Sequence, residues 1–133
     1  MIKESGIIPP KIKLIRSIEF LHTSPEGDID FEESKILLAE LAKAKRPPAD
    51  FDIMLDFRRS QLKLSTTNIW YLAAELANHD NTFRDKVAVL VLPGLDFDKA
   101  EFFELCSKNR GYKIDVFTNY EDAIQWFYEN NNL

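Results

Sequence analysis

Three consecutive hydroxyl side chains, Ser65, Thr66 and Thr67, stand at the head of the most regular apolar stripe in the chain: Ile69, Leu72, Ala73, Leu76 and Ala77. That stripe follows i, i+3, i+4, i+7, i+8 spacing, which predicts an amphipathic helix. The hydroxyls therefore fall where the first amide hydrogens of a helix lack intrahelical partners. Two kinds of chemistry fit. One hydroxyl can accept from a backbone N–H as an N-cap, a contact worth about 1 kcal/mol. The spare ones are candidate phosphoacceptors or anion ligands, because unpaired amides and the helix dipole both favour negative charge there. Arg58 and Arg59 lie just upstream. The two later helices open with Asp96 and Asp98 or with Glu121 and Asp122, which would repel an added anion. The second helix is the one entrance after a core strand that carries no charge.

Trp70 and Tyr71 follow on the same helix. At about 100° per residue, Trp70 lies on a flank of the apolar stripe and Tyr71 points well away from Ile69. An exposed aromatic pair beside the cap, together with Arg58, Arg59 and Ser60, makes a candidate surface for a protein partner. The competing reading has Trp70 covering the sheet edge and Tyr71 lying across neighbouring side chains.

Other chemistry finds little support. His22 and His79 are isolated and show no ligand spacing, so no metal is expected. The glycines form no phosphate-cradling loop or nucleophile elbow. Asp96-Phe97-Asp98 places carboxylates at i and i+2, which reads as helix capping. Cys106, the single cysteine, cannot form an internal disulfide and sits among Phe102, Phe103 and Leu105, where a buried thiol is expected. No nucleophile, base and oxyanion set can be assembled, so neither catalysis nor a cofactor is expected.

The elements that must position these residues alternate. Residues 1–10 read as a loose leader ending in Pro9-Pro10. From residue 11 to 20, Ile12, Leu14, Ile18 and Phe20 alternate with polar residues as in a strand, and Arg16 allows a bend or a break into two. Residues 23–28 carry turn chemistry. Asp30 caps a first helix with Glu33 three residues on, and Leu37, Leu38, Leu41 and Ala44 form its inner face. Lys43, Lys45 and Arg46 gather at its carbonyl end, and Pro47-Pro48 stops it. Residues 51–57 make a strand and residues 58–64 a loop. The second helix follows and ends at His79-Asp80-Asn81. Residues 86–92 are an apolar strand suited to burial on both faces of a parallel sheet. A third helix is expected to open at Asp98 with Glu101 as its partner and to stop at Gly111. Residues 112–117 form the next strand. Thr118 to Glu121 matches a capping box for a fourth helix, whose inner face is Tyr120, Ala123, Ile124 and Phe127. The Asn130-Asn131-Asn132 tail is expected to fray.

This alternation predicts one α/β domain with right-handed crossovers and a mainly parallel sheet covered by about four helices. Seventeen Lys and Arg against 22 Asp and Glu give a formal net charge of −5, which argues against bulk-charge binding of nucleic acid. The longest unbroken apolar run, residues 87–92, is far shorter than the roughly 20 residues of a membrane span. The first residues lack the apolar centre and cleavage site of a signal peptide, so a cytoplasmic protein is expected.

Three stretches together resemble a known family: Gly27-Asp28-Ile29-Asp30-Phe31-Glu32, the run from Asp50 to Arg59, and the run from Val116 to Trp126. In order and spacing they are similar to the SpoIIAA-like group of STAS-type domains, named for sulfate transporters and anti-sigma-factor antagonists, over residues 11–130. The resemblance implies a small α/β domain with a mainly parallel four- to five-stranded sheet, a partly antiparallel N-terminal edge and a non-enzymatic role. It implies a protein partner such as a regulatory kinase or anti-sigma factor, with switching by phosphorylation at the start of the helix after the second conserved strand. The matching stretch is Lys63-Leu64-Ser65-Thr66-Thr67, which lacks the Asp and Gly of the family motif. A second expectation comes from the likeness in layout to Sec14-type lipid carriers: Phe97, Phe102, Phe103 and Trp126 could line a cavity for a small apolar or anionic ligand. Homodimerisation stays open at this level.

Overall fold

The structure, a computed structural model, describes residues 12–15, 20–44, 51–79 and 81–129. The expected leader, the break at Arg16, the helix stop at Pro47-Pro48 with Lys45 and Arg46, and the frayed tail lie outside the described residues.

Among the described residues seven strands and four α-helices follow in the order β1 (Ile12–Ile15), β2 (Phe20–Thr23), β3 (Gly27–Ile29), α1 (Phe31–Ala44), β4 (Asp52–Asp56), β5 (Ser60–Leu62), α2 (Thr66–Glu75), β6 (Val87–Leu90), α3 (Leu95–Lys108), β7 (Ile114–Phe117) and α4 (Tyr120–Tyr128). A five-stranded sheet runs β1-β2-β4-β6-β7. β1 is its antiparallel edge and the other four strands are parallel. The N-terminal stretch, read as a strand that Arg16 allows to bend or break into two, contributes two strands, and they pair with each other.

The sheet has two unequal faces, set by side-chain alternation along each strand. Leu21, Ile53, Leu55, Val87, Val89 and Ile114 point to one face and pack against Leu37, Leu38 and Leu41 of α1, Leu72 of α2 and Ala100 of α3. Phe20, Met54, Ala88 and Leu90 point to the other, where α4 supplies Ala123, with Ile124, Trp126 and Phe127 packed around it. Three helices thus share one face, and among the described residues α4 covers the other. The α4 layer is pinned at its C-terminal end by Lys86. This buried side chain donates from Nζ to the carbonyls of Trp126 (2.6 Å) and Glu129 (2.8 Å) and lies 5.2 Å from the Trp126 ring centroid.

Several local expectations shift. The turn expected at residues 23–28 runs into a three-residue strand, β3, the loop expected at residues 58–64 contains another, β5, and these pair in parallel as a separate two-stranded sheet. β5 has a second anchor: Leu62 N–H lies 3.4 Å from both carboxylate oxygens of Asp96, and Lys99 Nζ donates to the Leu62 carbonyl at 2.6 Å. Two side chains one turn apart on α3 therefore occupy the strand's free edge, satisfying backbone groups that a neighbouring strand would otherwise take. That frees Asp96 from the capping role expected of it. α3 starts at Leu95 with Gly94 as N-cap at φ 115°, rather than with Asp98. α4 is capped by Asn119, whose Oδ1 accepts from Asp122 N–H, rather than by Thr118. The α1 cap is as expected, with Asp30 and Glu33 each accepting the other's backbone N–H. Ala77 is exposed, because after Glu75 the helix tightens into a 3₁₀ turn (Leu76–His79) and the 3.6-residue stripe loses phase. Cys106 is half-buried rather than buried.

Candidate functional site

Of the three hydroxyls, Ser65 is the cap. Its Oγ accepts from Asn68 N–H at 3.0 Å, and Asn68 Oδ1 accepts from Ser65 N–H at 3.0 Å, a reciprocal box made without a carboxylate. The start of α2 carries no acidic residue. Thr66 and Thr67 are exposed beside it. Further along the helix, Trp70 and Tyr71 stand 47% and 54% exposed. Their rings meet edge to face at 5.2 Å, and the Arg110 guanidinium lies 5.0 Å over the indole. Arg110 comes from the turn after α3, which packs beside α2. The indole of Trp70 is thereby in contact with both the Tyr71 ring and the Arg110 guanidinium.

Arg58, Arg59 and Ser60 form a different group. Ser60 is buried, and its Oγ donates to the Pro25 carbonyl at 2.6 Å across the β3–β5 junction. Arg59 is exposed and pairs with Glu26. Arg58 turns back onto Asp56, the last residue of β4, donating from Nε to Oδ1 (3.0 Å) and from Nη2 to Oδ2 (2.9 Å), with its own backbone N–H also on Oδ1 (3.1 Å). With Gln61, Leu92, Pro93, Leu95 and Asp96 these residues line an open groove of about 380 Å³ at the carboxyl end of the parallel strands. None of Ser65, Thr66, Thr67, Trp70 or Tyr71 lines it. The expected single surface is two.

His22, which the sequence leaves isolated, ends up near this group. It leaves β2 on the same face as Asp56 leaves β4, and its Nε2 lies 3.7 Å from Asp56 Oδ2. Burial alone would push the Asp56 carboxyl upward; the hydrogen bonds and charge of Arg58, with His22 nearby, outweigh burial and hold it below the ordinary carboxylate value. The hydrogen bonds that Arg58 donates to Asp56 in turn raise Arg58. Asp56, with both oxygens engaged, fixes the guanidinium at the groove. His22 one residue before the end of β2 and Asp56 at the end of β4 were the available signal. Reading it requires knowing that β2 and β4 are neighbours.

A second space lies between α1, α2, α3 and the sheet. It has a volume of about 60 Å³ and is walled by Leu37, Leu38, Leu55, Leu72, Val89, Ala100 and Phe103, with Phe57, Leu62, Leu64 and Ile69. Trp126 is absent from it, since α4 lies on the opposite side of the sheet from Phe103. Phe97 packs against the same core without lining the space. Among the described residues no cluster suited to a metal ion occurs, and no helix is long and apolar enough to cross a membrane.

No protein-family model matches the sequence, and no curated protein matches it. Among solved structures, the chain is similar to an uncharacterised protein of the DUF3478 family from Shewanella loihica, described as having a SpoIIAA-like fold. The TM-score is 0.56 at 18% identity, over 96% of this chain and 98% of that one. A likeness of that extent at that identity concerns the backbone layout, and it agrees with the strand order, the antiparallel edge and the four helices described above: the chain has a SpoIIAA-like α/β fold.

Proposed function

We propose that the protein is a non-catalytic, cytoplasmic regulatory module that binds another protein through the outer face of α2. The observation that carries this reading is the half-exposed Trp70–Tyr71 pair with Arg110 over the indole. Trp, Tyr and Arg are the residue types most enriched among energetically dominant interface positions. Rings already in contact with neighbours lose less freedom on binding. The groove at Arg58, Arg59, Leu92 and Leu95 is a second, adjoining contact region in this reading.

Substituting Trp70→Ala is expected to weaken partner binding by about 2 kcal/mol, roughly thirtyfold, as for a typical aromatic anchor. Affinity capture from extracts of the native cell, with wild type and variant compared by quantitative mass spectrometry, tests this. Partners retained equally by both would remove α2 as the docking face.

The uncharged start of α2 supports phosphorylation of Ser65, Thr66 or Thr67 as the switch on that face. An added phosphate would lie at unpaired amides about one turn from Trp70. Intact-mass spectra of protein from its native cell are expected to show one added phosphate in at least one growth condition, mapped to residues 63–71. Its absence throughout would discard the switch and leave the docking face standing. Carriage of a whole lipid is poorly supported, since 60 Å³ compares with the roughly 300–1,000 Å³ of ordinary small-molecule sites.

A further inference from the structure

We propose that the 60 Å³ space under β5 is a binding site for a small apolar molecule without hydrogen-bonding groups, or for the last carbons of a hydrocarbon chain. Its volume is that of about two liquid waters, and water needs two to four polar partners to occupy such a space. The walls do not provide them. Leu37, Leu38, Leu55, Leu72, Val89 and Phe103 contribute carbon. The two polar side chains at the boundary are each tethered to a backbone carbonyl, Ser34 Oγ to that of Asp30 at 2.8 Å and Lys99 Nζ to that of Leu62 at 2.6 Å, and almost no polar surface faces the space. A polar guest would be stripped of water with no replacement bonds. An apolar guest gains the dispersion contacts that the facing walls otherwise forgo.

The site is walled by packed side chains of three helices, and Leu62 and Leu64 of the β5 segment complete the wall. β5 belongs to the small two-stranded sheet and not to the main one, and Asp96 and Lys99 fasten its outer edge. This places the more separable wall beside the space, as entry of a guest requires. The inference is independent of the protein-binding reading of α2.

Xenon is the probe, since it fits a dry apolar void and has no polar chemistry. Methyl-resolved NMR spectra of the full chain under rising xenon pressure are expected to show saturable shifts confined to methyls of the lining residues. Ala100→Val, which adds two methyl carbons at the wall, should abolish them while preserving the dispersed spectrum. Val89→Ile serves the same purpose should the first variant fold poorly. Linear, non-saturating shifts, shifts spread over surface methyls, or equal shifts in a folded filled variant would each overturn the site.

Discussion

Replacing Arg58 with Met is expected to destabilise the protein by about 2–4 kcal/mol, because it strands the Asp56 carboxylate. The Asp56 side chain is 6% exposed and Arg58 supplies both side-chain hydrogen bonds to it. Breaking a fully buried pair by removing one partner typically costs about 3–5 kcal/mol; the Arg58 side chain is 34% exposed, so water screens part of this one. The companion change, Asp56→Asn in the Arg58→Met background, should recover much of the loss, since it removes the charge and not the shape. Urea unfolding of the four proteins in this cycle measures the coupling directly.

The same pair dictates a pH dependence whose sign follows from linkage. The folded-state pKa of Asp56 is lowered from 3.8, so its contribution is fully present above that unfolded value. It is lost as pH falls through the folded value, where the carboxylate must be protonated. In the Arg58→Met protein only the backbone N–H of residue 58 and His22 still oppose burial, and the carboxyl protonates more easily. The stability gap between wild type and variant should therefore be widest near neutrality and close in acid. A gap that stays constant from pH 7 to pH 3 would show that Arg58 acts by packing alone.

Lys86→Met should destabilise by about 2–3 kcal/mol, with the effect concentrated on α4. The buried ammonium holds the carbonyls of Trp126 and Glu129 at the end of a helix, where carbonyls lack the usual i+4 donors; that of Trp126 also accepts from Glu129 N–H at 3.1 Å. Charge-assisted bonds of this kind are the stronger ones, and positive charge at a helix C-terminus gains further from the dipole. Met keeps most of the apolar stem and so isolates the lost bonds from lost packing. Because α4 alone among described elements covers Phe20, Met54 and Leu90, loosening it exposes that face. Hydrogen exchange should accelerate across residues 120–128 before the rest of the chain responds. Uniform acceleration across all four helices would mean that Lys86 supports the fold globally and is no specific clasp for α4.

How the expectations fared follows the range of the interactions involved. The α1 box at Asp30 and Glu33, the inner faces of α1 and α4, and the left-handed Gly111 (φ 93°) all depend on residues within a turn or two of each other. Where two caps competed locally the reading slipped. Thr118 and Asn119 both offer an oxygen, and the position of β7 decided for Asn119. β3 and β5 stayed hidden because a three-residue strand has too little alternation to register; only mutual pairing and the Asp96–Lys99 clamp make them strands.

The candidate site divides along the same line. Helix phase placed Trp70 and Tyr71 off the apolar stripe from the residues alone, since 3.6 residues per turn is a local property of the backbone. The uncharged start of α2 is likewise a fact of composition. Tertiary structure alone decided that Arg110 would roof the indole, that Ser60 would be buried, and that Arg58 would turn to Asp56 instead of joining the α2 surface. It also set His22 beside Asp56 and put Trp126 on the other side of the sheet from Phe103. These outcomes hang on strand order and on which face each strand presents. Both are fixed by burying apolar area against distant segments, so no window of neighbouring residues contains them.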